Sequence, residues 1–428
     1  MTFLKYGSIN IRQYRTSAVV LQIQEISMSK RFLTDDFFES MESSIIDIKD
    51  AESLPPLCYT DRDFFNFEKK AIFDHEWLCV GRVDWIPKKG DFFTTTIVGE
   101  PVVVVQDRDG EIRAMSSVCQ HRAMLVAEGT GNTRTFTCPY HHWVYSLKGD
   151  LINAPAMEKT CNFHKEDSGL PQFKLEIWQG FIFINLDDDA KPLTPRLSAL
   201  DSVLANYDIE NAEGPEPDKN TKYDFSWKVM FENNNDGYHA NKLHHGEFHD
   251  YIPSELAEFP DDLPADTAGY FRTNGTLHKD ASFNPTQKAL MPVFPKLNEE
   301  ERNRMAFANL PPSLSLVLTS DAVIYLILRA DGPESHYLDL GVLFAKGAMD
   351  EPDFDANMEQ VLERALDINA QDVHVDEMVQ IGLRSRHAPR GRYSWQEGAQ
   401  RQFNTWLVPR YRAQWEKFKK QQIAVEMI

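Results

Sequence analysis

Two short stretches carry the first chemistry in this chain. Cys119-Gln120-His121 is followed, after sixteen residues, by Cys138-Pro139-Tyr140-His141. Two Cys/His pairs on loops between strands can close around one metal centre. Two thiolates and two imidazoles suit a Rieske [2Fe-2S] centre, where two histidines replace two cysteines on one iron and raise its reduction potential. Structural zinc takes the same donors tetrahedrally, and the spacing alone leaves both readings open. His142 adjoins His141, so the stretch "TCPYHHW" by itself does not say which histidine is the ligand.

A second constellation lies in "SWKVMFENNNDGYHANKLHHGEFHD", which holds His239, His244, His245 and His249 together with Glu232, Asp236 and Asp250. On a regular helix Asp236 and His239 lie about 60° apart, whereas His239 and His244 lie about 140° apart. His245 and His249 have i, i+4 spacing, so helical geometry alone favours that pair and zinc. A carboxylate is available further on, in "ANMEQVLERALDINAQDVHVDEMVQIGLRSR". There Asp372 shares a helical stripe with Ala365, Ile368, Val375 and Val379. An acid on a buried face needs a partner, and a metal is a good one. Asp367 and Asp376 have polar neighbours at helical spacing.

These residues need elements to hold them. "TDRDFFNFEKKAIFDHEW" predicts one helix capped by Thr60, with Phe64, Phe65, Phe67, Ile72 and Phe73 on its apolar side. From Leu78 to about residue 188, short β-branched and aromatic runs alternate with Gly and Asp turns, and "QDRDGEIRAM" reads as a hairpin. The break at "LDDDAKPLTP" marks a boundary. Beyond it, strands such as "LSLVLTSDAVIYLILRADG" mix with helices over Asp355–Arg386 and around "RYRAQWEKFKKQQ". The expectation is an α+β protein: an N-terminal all-β domain, then an α+β domain with an antiparallel sheet. Residues 1–56 read as tail and linker, 57–77 as a helix packing on the second domain, 78–188 as the β domain and 189–428 as the second domain.

The chain has 428 residues, 42% hydrophobic and 26% charged, with a net charge of -20. That charge argues against nucleic-acid or anionic-membrane binding, because the summed field repels phosphate. No apolar run approaches the roughly 20 residues of a membrane span. The N-terminus lacks the apolar core of a signal peptide, so a cytoplasmic protein is expected. Met28 reads as an alternative start, with residues 1–27 expected to be unpacked. Five scattered cysteines do not make a disulfide scaffold.

C-x-H, this gap and C-P-Y-H-x-W resemble the Rieske domain of the aromatic-ring-hydroxylating, Rieske non-haem iron oxygenase α subunits. "WQGFIFINLDDDAKPL" is similar to that family's closing strand and exit loop. The family usually has Gly where Ala123 and His142 stand. W-K-x-x-x-E-N-x-x-D-x-Y-H-x4-H resembles its catalytic-iron motif, onto which Trp227, Lys228, Glu232, Asn233, Asp236, Tyr238, His239 and His244 fall. "DEMVQIGLRSR" is similar to the segment after its carboxylate ligand, which matches Asp372.

The resemblance implies a [2Fe-2S] cluster on Cys119, His121, Cys138 and His141, and a mononuclear Fe(II) on His239, His244 and Asp372. It leaves His245 and His249 as surface or supporting residues. It implies a head-to-tail homotrimer or an α3β3 assembly, in which Asp236 bridges His239 of one chain and His141 of the next. Electrons would come from NAD(P)H through a reductase, with or without a ferredoxin, and O2 would be inserted into a small organic molecule. The carnitine type has Glu at the bridging position where this chain has Asp236. An aromatic substrate, hydroxylated or cis-dihydroxylated, is therefore the expectation, with monooxygenation of a quaternary amine such as carnitine or betaine as the alternative. Remoter readings are a non-catalytic Rieske electron carrier, in which the His239/His244/Asp372 set has no purpose, and a colourless zinc-binding interaction protein.

Overall fold

The computed structural model describes residues 33–244, 249–260, 263–264 and 266–426. Its β-rich first half contains three antiparallel sheets. One runs in the order β4 (Ile112–Ser116), β3 (Glu100–Gln106), β2 (Asp91–Ile97), β5 (Thr130–Asn132). A small one joins β6 (Phe136–Thr137), β7 (Val144–Tyr145) and β8 (Leu151–Asn153), and the third joins β1 (Leu78–Arg82), β10 (Phe181–Asn185) and β9 (Lys174–Trp178).

The unbroken apolar run Val102–Val105 makes sense here because successive side chains on a strand point to opposite faces. Val102 and Val104 join the main core, while Val103 and Val105 pack with Cys119, Cys138, Trp143 and Tyr145. One strand thus supports the loop tip on one side and the body of the protein on the other. The β3–β4 hairpin forms as its sequence predicts. Asp107 carboxylate oxygens accept from Asp109 N, Glu111 N and Arg113 Nε, and Gly110 takes a φ of +96° that a side chain would oppose.

The second half is built on a seven-stranded antiparallel sheet. Its order is β11 (Asp218–Tyr223), β17 (Ser335–Leu343), β16 (Val323–Gly332), β15 (Leu314–Leu318), β14 (Arg304–Leu310), β13 (Tyr270–Gly275), β12 (Ala257–Glu258). Three helices pack with it: Trp227–Asn235, the 30-residue Phe354–Leu383 and the 29-residue Gly398–Glu426.

The structure corrects two details of the sequence reading. The helix expected from Thr60 is capped by Asp61, whose carboxylate accepts from Phe64 N at 2.8 Å, and runs Arg62–Glu68 before a wider turn over Lys69–Phe73. Its phenylalanines pack with Trp227, Phe403 and Tyr411 of the second half. Residues 35–56, read as linker, are instead packed: Phe38, Met41, Ala51 and Leu54 are buried, and Phe38 stacks on Trp415. The acidic residues of this stretch lie exposed or half-exposed between those anchors. Residues 1–27 lie outside the described residues.

Glu68 anchors the junction between halves. Its carboxylate accepts from Lys228 Nζ at 2.7 Å, Trp227 Nε1 at 3.1 Å and the Tyr411 hydroxyl, and both members of the ion pair are fully buried. Losing either partner strands a buried charge, which costs about 3–5 kcal/mol. Trp227 and Lys228 are therefore core residues. Among the described residues, no helix is long and apolar enough to cross a membrane.

Candidate functional site

The two Cys/His loops have the same backbone construction. Cys119 N–H donates to Met124 O at 2.8 Å while Ala123 N–H donates to Cys119 O at 3.0 Å; in the second loop Cys138 N–H donates to Trp143 O at 2.8 Å and His142 N–H to Cys138 O at 3.0 Å. Such a turn needs a left-handed residue four positions after the cysteine, and Ala123 (φ +56°) and His142 (φ +57°) supply it. The two places where this chain departs from Gly are thus equivalent positions in twin turns. For an L-residue that conformation costs roughly 1–2 kcal/mol.

Both thiols are buried, and the His121 and His141 rings meet edge-on with centroids 4.5 Å apart. His121 stacks on Trp143, and its Nδ1 is buried without a hydrogen-bond partner, which leaves a lone pair for a metal. Burial, together with neighbouring His121 and Arg122, lowers the His141 pKa, favouring the neutral ring that binds metal. His142 is exposed and makes no ring contact with this group. The Tyr145 hydroxyl lies 3.3 Å from Cys119 Sγ and accepts from Gln120 N at 3.0 Å. Hydrogen bonds to cluster sulfur tune its potential.

The second site lies between the large sheet and the helices. His239 and His244 flank the short helix Ala240–Leu243, which explains how two histidines five apart can converge when a regular helix would splay them. His239 Nε2 and His244 Nε2 are 3.2 Å apart, and Asp372 Oδ1 is 3.4 Å and 2.9 Å from them. Ligands about 2.1 Å from one ion at right angles are about 3.0 Å apart, so this triangle fits a single metal with open positions opposite.

The outer nitrogens are held as well. His244 Nδ1 lies 3.0 Å from Gln371 Oε1, and His239 Nδ1 lies 3.2 Å from Asp236 Oδ2, somewhat off the line of a good hydrogen bond. With acceptors at Nδ1, both rings present their Nε2 lone pairs inward. Burial opposes a charged His239, yet Asp236 and Asp372 push its pKa up to about 9. Asp372, though also opposed by burial, is held below the usual carboxylate range by the two histidines. The carboxylates thus favour positive charge at the triangle itself, where a metal would supply it.

Asp372 is where the sequence placed it, but the helical phase was slightly off. Val379, assigned to the same stripe, is exposed, and the buried stripe instead includes Asp376 and Gln380. Asp376, set aside as polar-faced, is buried; burial pushes its pKa up to about 8, and it accepts from Asn233 Nδ2 at 3.0 Å. Its position four residues after Asp372 was the available signal. His249 does not join the triangle: its Nδ1 is 3.4 Å from Ser254 N and Oγ. His245 lies outside the described residues. Arg272, Gln371 and Tyr145 were missed, and no motif marks them.

Above the triangle is a cavity of ≈ 140 Å³. Phe307, Val317, Ile324, Leu326 and Leu340 reach it from the sheet, Ala365 and Ile368 from the long helix, and Arg272 from β13.

Fold and sites together define a protein with one Cys/His centre at a β-domain tip and one 2-His-1-carboxylate centre under a small apolar cavity. Two family descriptions match in tandem: Rieske [2Fe-2S] domain over residues 76–174, and ring hydroxylating alpha subunit (catalytic domain) over residues 210–413. The chain belongs to the Rieske oxygenases, and its cofactors are a Rieske [2Fe-2S] cluster and a mononuclear iron.

It is 34% identical over 214 residues to the glycine betaine monooxygenase oxygenase subunit of Chromohalobacter salexigens, covering 50% of this chain and 48% of that one. It is 31% identical over 204 residues to the carnitine monooxygenase oxygenase subunit of Escherichia coli (46% and 54%), and 40% identical over 142 residues to the biphenyl 2,3-dioxygenase subunit alpha of Rhodococcus jostii (33% and 31%). The chain thus spans about half the length of the first two and less of the third. Among solved structures, a quaternary ammonium Rieske monooxygenase superposes with a TM-score of 0.73 at 22% identity (89% of this chain, 99% of that one). Naphthalene 1,2-dioxygenase from Rhodococcus sp. gives the same TM-score at 19% identity (88% and 98%). The fold is equally like both.

Proposed function

We propose that this protein is the terminal oxygenase of a Rieske monooxygenase system acting on a small quaternary ammonium compound. The His239/His244/Asp372 triangle under an apolar cavity carries the oxygenase reading. The betaine and carnitine monooxygenase relatives support the substrate class, and they weigh against the aromatic expectation drawn from Asp236. A trimethylammonium group is a diffuse cation that sits well against methyl and aromatic surface, and Phe283 and Phe307 line the cavity.

In this reading Cys119, Cys138, His121 and His141 hold the cluster, and His239, His244 and Asp372 hold the iron. The bound groups supply one-electron transfer and O2 activation. Asp236 orients His239 and reaches His141 of a neighbouring copy in a trimer, where a carboxylate accepting from both imidazoles fixes their alignment. Tyr140, Met124 and Leu125 at the loop tip and Tyr238 beside Asp236 are exposed apolar residues suited to that contact. The apolar lining excludes water from the reacting carbon. NAD(P)H, through a reductase, supplies two electrons; with two protons and one O2, a C–H bond next to nitrogen becomes C–OH and one water leaves. The resulting carbinol splits into an amine, an aldehyde and a proton.

The biphenyl dioxygenase relative, together with this chain's Asp236 at the position where the carnitine type has Glu, supports a second reading as an aromatic-ring dioxygenase. Coupled NADH and O2 consumption with a surrogate reductase separates them. Turnover of glycine betaine or carnitine, with aldehyde release, is expected; turnover of biphenyl or naphthalene but neither amine would overturn the substrate class.

A further inference from the structure

The cavity contains a buried cation that the metal triangle does not use. Arg272 is 3% exposed and lines the cavity. Its guanidinium lies over the Phe307 ring, 3.6 Å from the centroid, and Nη1 donates to Asn274 Oδ1 at 3.3 Å. Nε is buried with no acceptor, and no carboxylate pairs with the guanidinium among the described residues. Asp236 is near enough to favour the charge, yet desolvation dominates and lowers the pKa to about 10, so the group remains charged at neutral pH.

A buried guanidinium normally has a carboxylate to answer it, because an unpaired buried charge costs several kcal/mol. The sheet shows where that partner belongs. Arg272 pairs across strands with Phe307, Phe307 with Val317 and Val317 with Ile324, forming a row across four adjacent strands on the cavity side. Neighbouring strands are about 4.8 Å apart, so the row presents roughly 10 Å of apolar surface ending in one cation. That surface matches a short molecule with an apolar or methyl-rich body and an anionic end.

From this juxtaposition of an unpaired, buried Arg272 with an apolar row in the cavity that the His239/His244/Asp372 triangle also lines, we infer that Arg272 binds a substrate carboxylate. This inference rests on the proposed oxygenase reading of the site and narrows its substrate to a carboxylate-bearing one. Arg suits the task because its planar fork meets a carboxylate with two parallel hydrogen bonds. The carboxylate fixes one end of the molecule and thereby sets which carbon faces the triangle. Choline-like amines, which lack the anion, leave the guanidinium unanswered.

The test is calorimetric binding to the full-length, metal-loaded protein without O2, using two matched pairs: glycine betaine against choline, and benzoate against benzamide. Wild type is expected to bind the carboxylate member at least tenfold more tightly in a pair that binds at all. Arg272→Gln is expected to remove that preference without weakening choline or benzamide, and Arg272→Lys to keep part of it. A preference that survives in Arg272→Gln overturns the inference, as does its absence from wild type. The wild-type comparison needs no variant, so a misfolded Arg272→Gln leaves the test in force. Benzoate bound through Arg272 with no amine bound would uphold this inference and sink the quaternary-amine reading. Choline bound as tightly as glycine betaine would do the reverse.

Discussion

Replacing Asp236 with Asn removes one charge and almost no volume. Oδ1 of Asp236 accepts from Tyr238 N at 2.5 Å, and an amide oxygen can take over that bond, so the turn leading to His239 is retained. What is lost is the negative oxygen 3.2 Å from His239 Nδ1 and, in the proposed trimer, the acceptor for His141 of the neighbouring copy. Outer partners of metal-binding histidines are worth 10–100-fold in affinity or activity. Removing an acceptor that serves two imidazoles on the electron route puts the expected loss at about 100-fold or more. The assay has two halves. Reduction of the cluster by the reductase, monitored by its visible absorption without O2, is expected to proceed at the wild-type rate with both iron centres loaded. Product formed per pre-reduced enzyme after adding O2 is expected to collapse. Turnover within about threefold of wild type would refute the bridging argument, and loss of iron alongside activity would make Asp236 a structural support.

The same geometry sets three further outcomes. Gly at position 123 or 142 relieves left-handed strain of roughly 1–2 kcal/mol, partly offset by the greater freedom of Gly in the unfolded chain, so each substitution is expected to raise stability by at most ~1 kcal/mol in a denaturant titration with the cluster retained. Loss of the cluster in His142→Gly would make His142 a ligand. His336 is fully buried, with Nδ1 donating to Phe225 O, and burial drops its pKa to about 4. A folded pKa below the unfolded one means stability is intact above about pH 6.5 and is lost as pH falls towards 4, by up to about 3 kcal/mol; His336→Gln should flatten that part of the melting-temperature profile. Glu68→Gln strands the Lys228 charge and should destabilise by about 3–5 kcal/mol, whereas Glu68→Gln with Lys228→Met should recover much of it; no loss in the single variant would contradict the buried-pair argument.

Much of the site was legible because its residues sit at fixed short spacings. C-x-H and C-x-x-H loops need only a turn, and the structure shows the same turn twice. The His239/His244 pair was legible only through family resemblance, since regular helical geometry points to His245 and His249. What defeats that geometry is the end of a helix at Asn235, an extended Asp236 and a single turn before His244. Asp372 was reached through a stripe that included an exposed Val379, because the long helix buries polar residues, Asp376 and Gln380, where an apolar pattern was sought. Arg272 lies in "YFRTNG", a strand whose inward face carries a charge; alternation cannot say that a polar residue points at a cavity until the sheet supplies its neighbours. Residues 35–56 misled for the opposite reason: a few buried anchors such as Phe38 and Leu54 hold an otherwise acidic stretch.

The proposed oxygenase chemistry requires one chain to carry two iron centres, the second on His239, His244 and Asp372. Iron and acid-labile sulfide, measured per chain in wild type and in Asp372→Ala, decide whether it does. Wild type should give about three irons for two sulfides; Asp372→Ala should give about two for two with the reduced-cluster EPR signal unchanged. Zinc without sulfide in wild type, or a third iron retained in Asp372→Ala, would show that these residues do not hold the metals assigned to them.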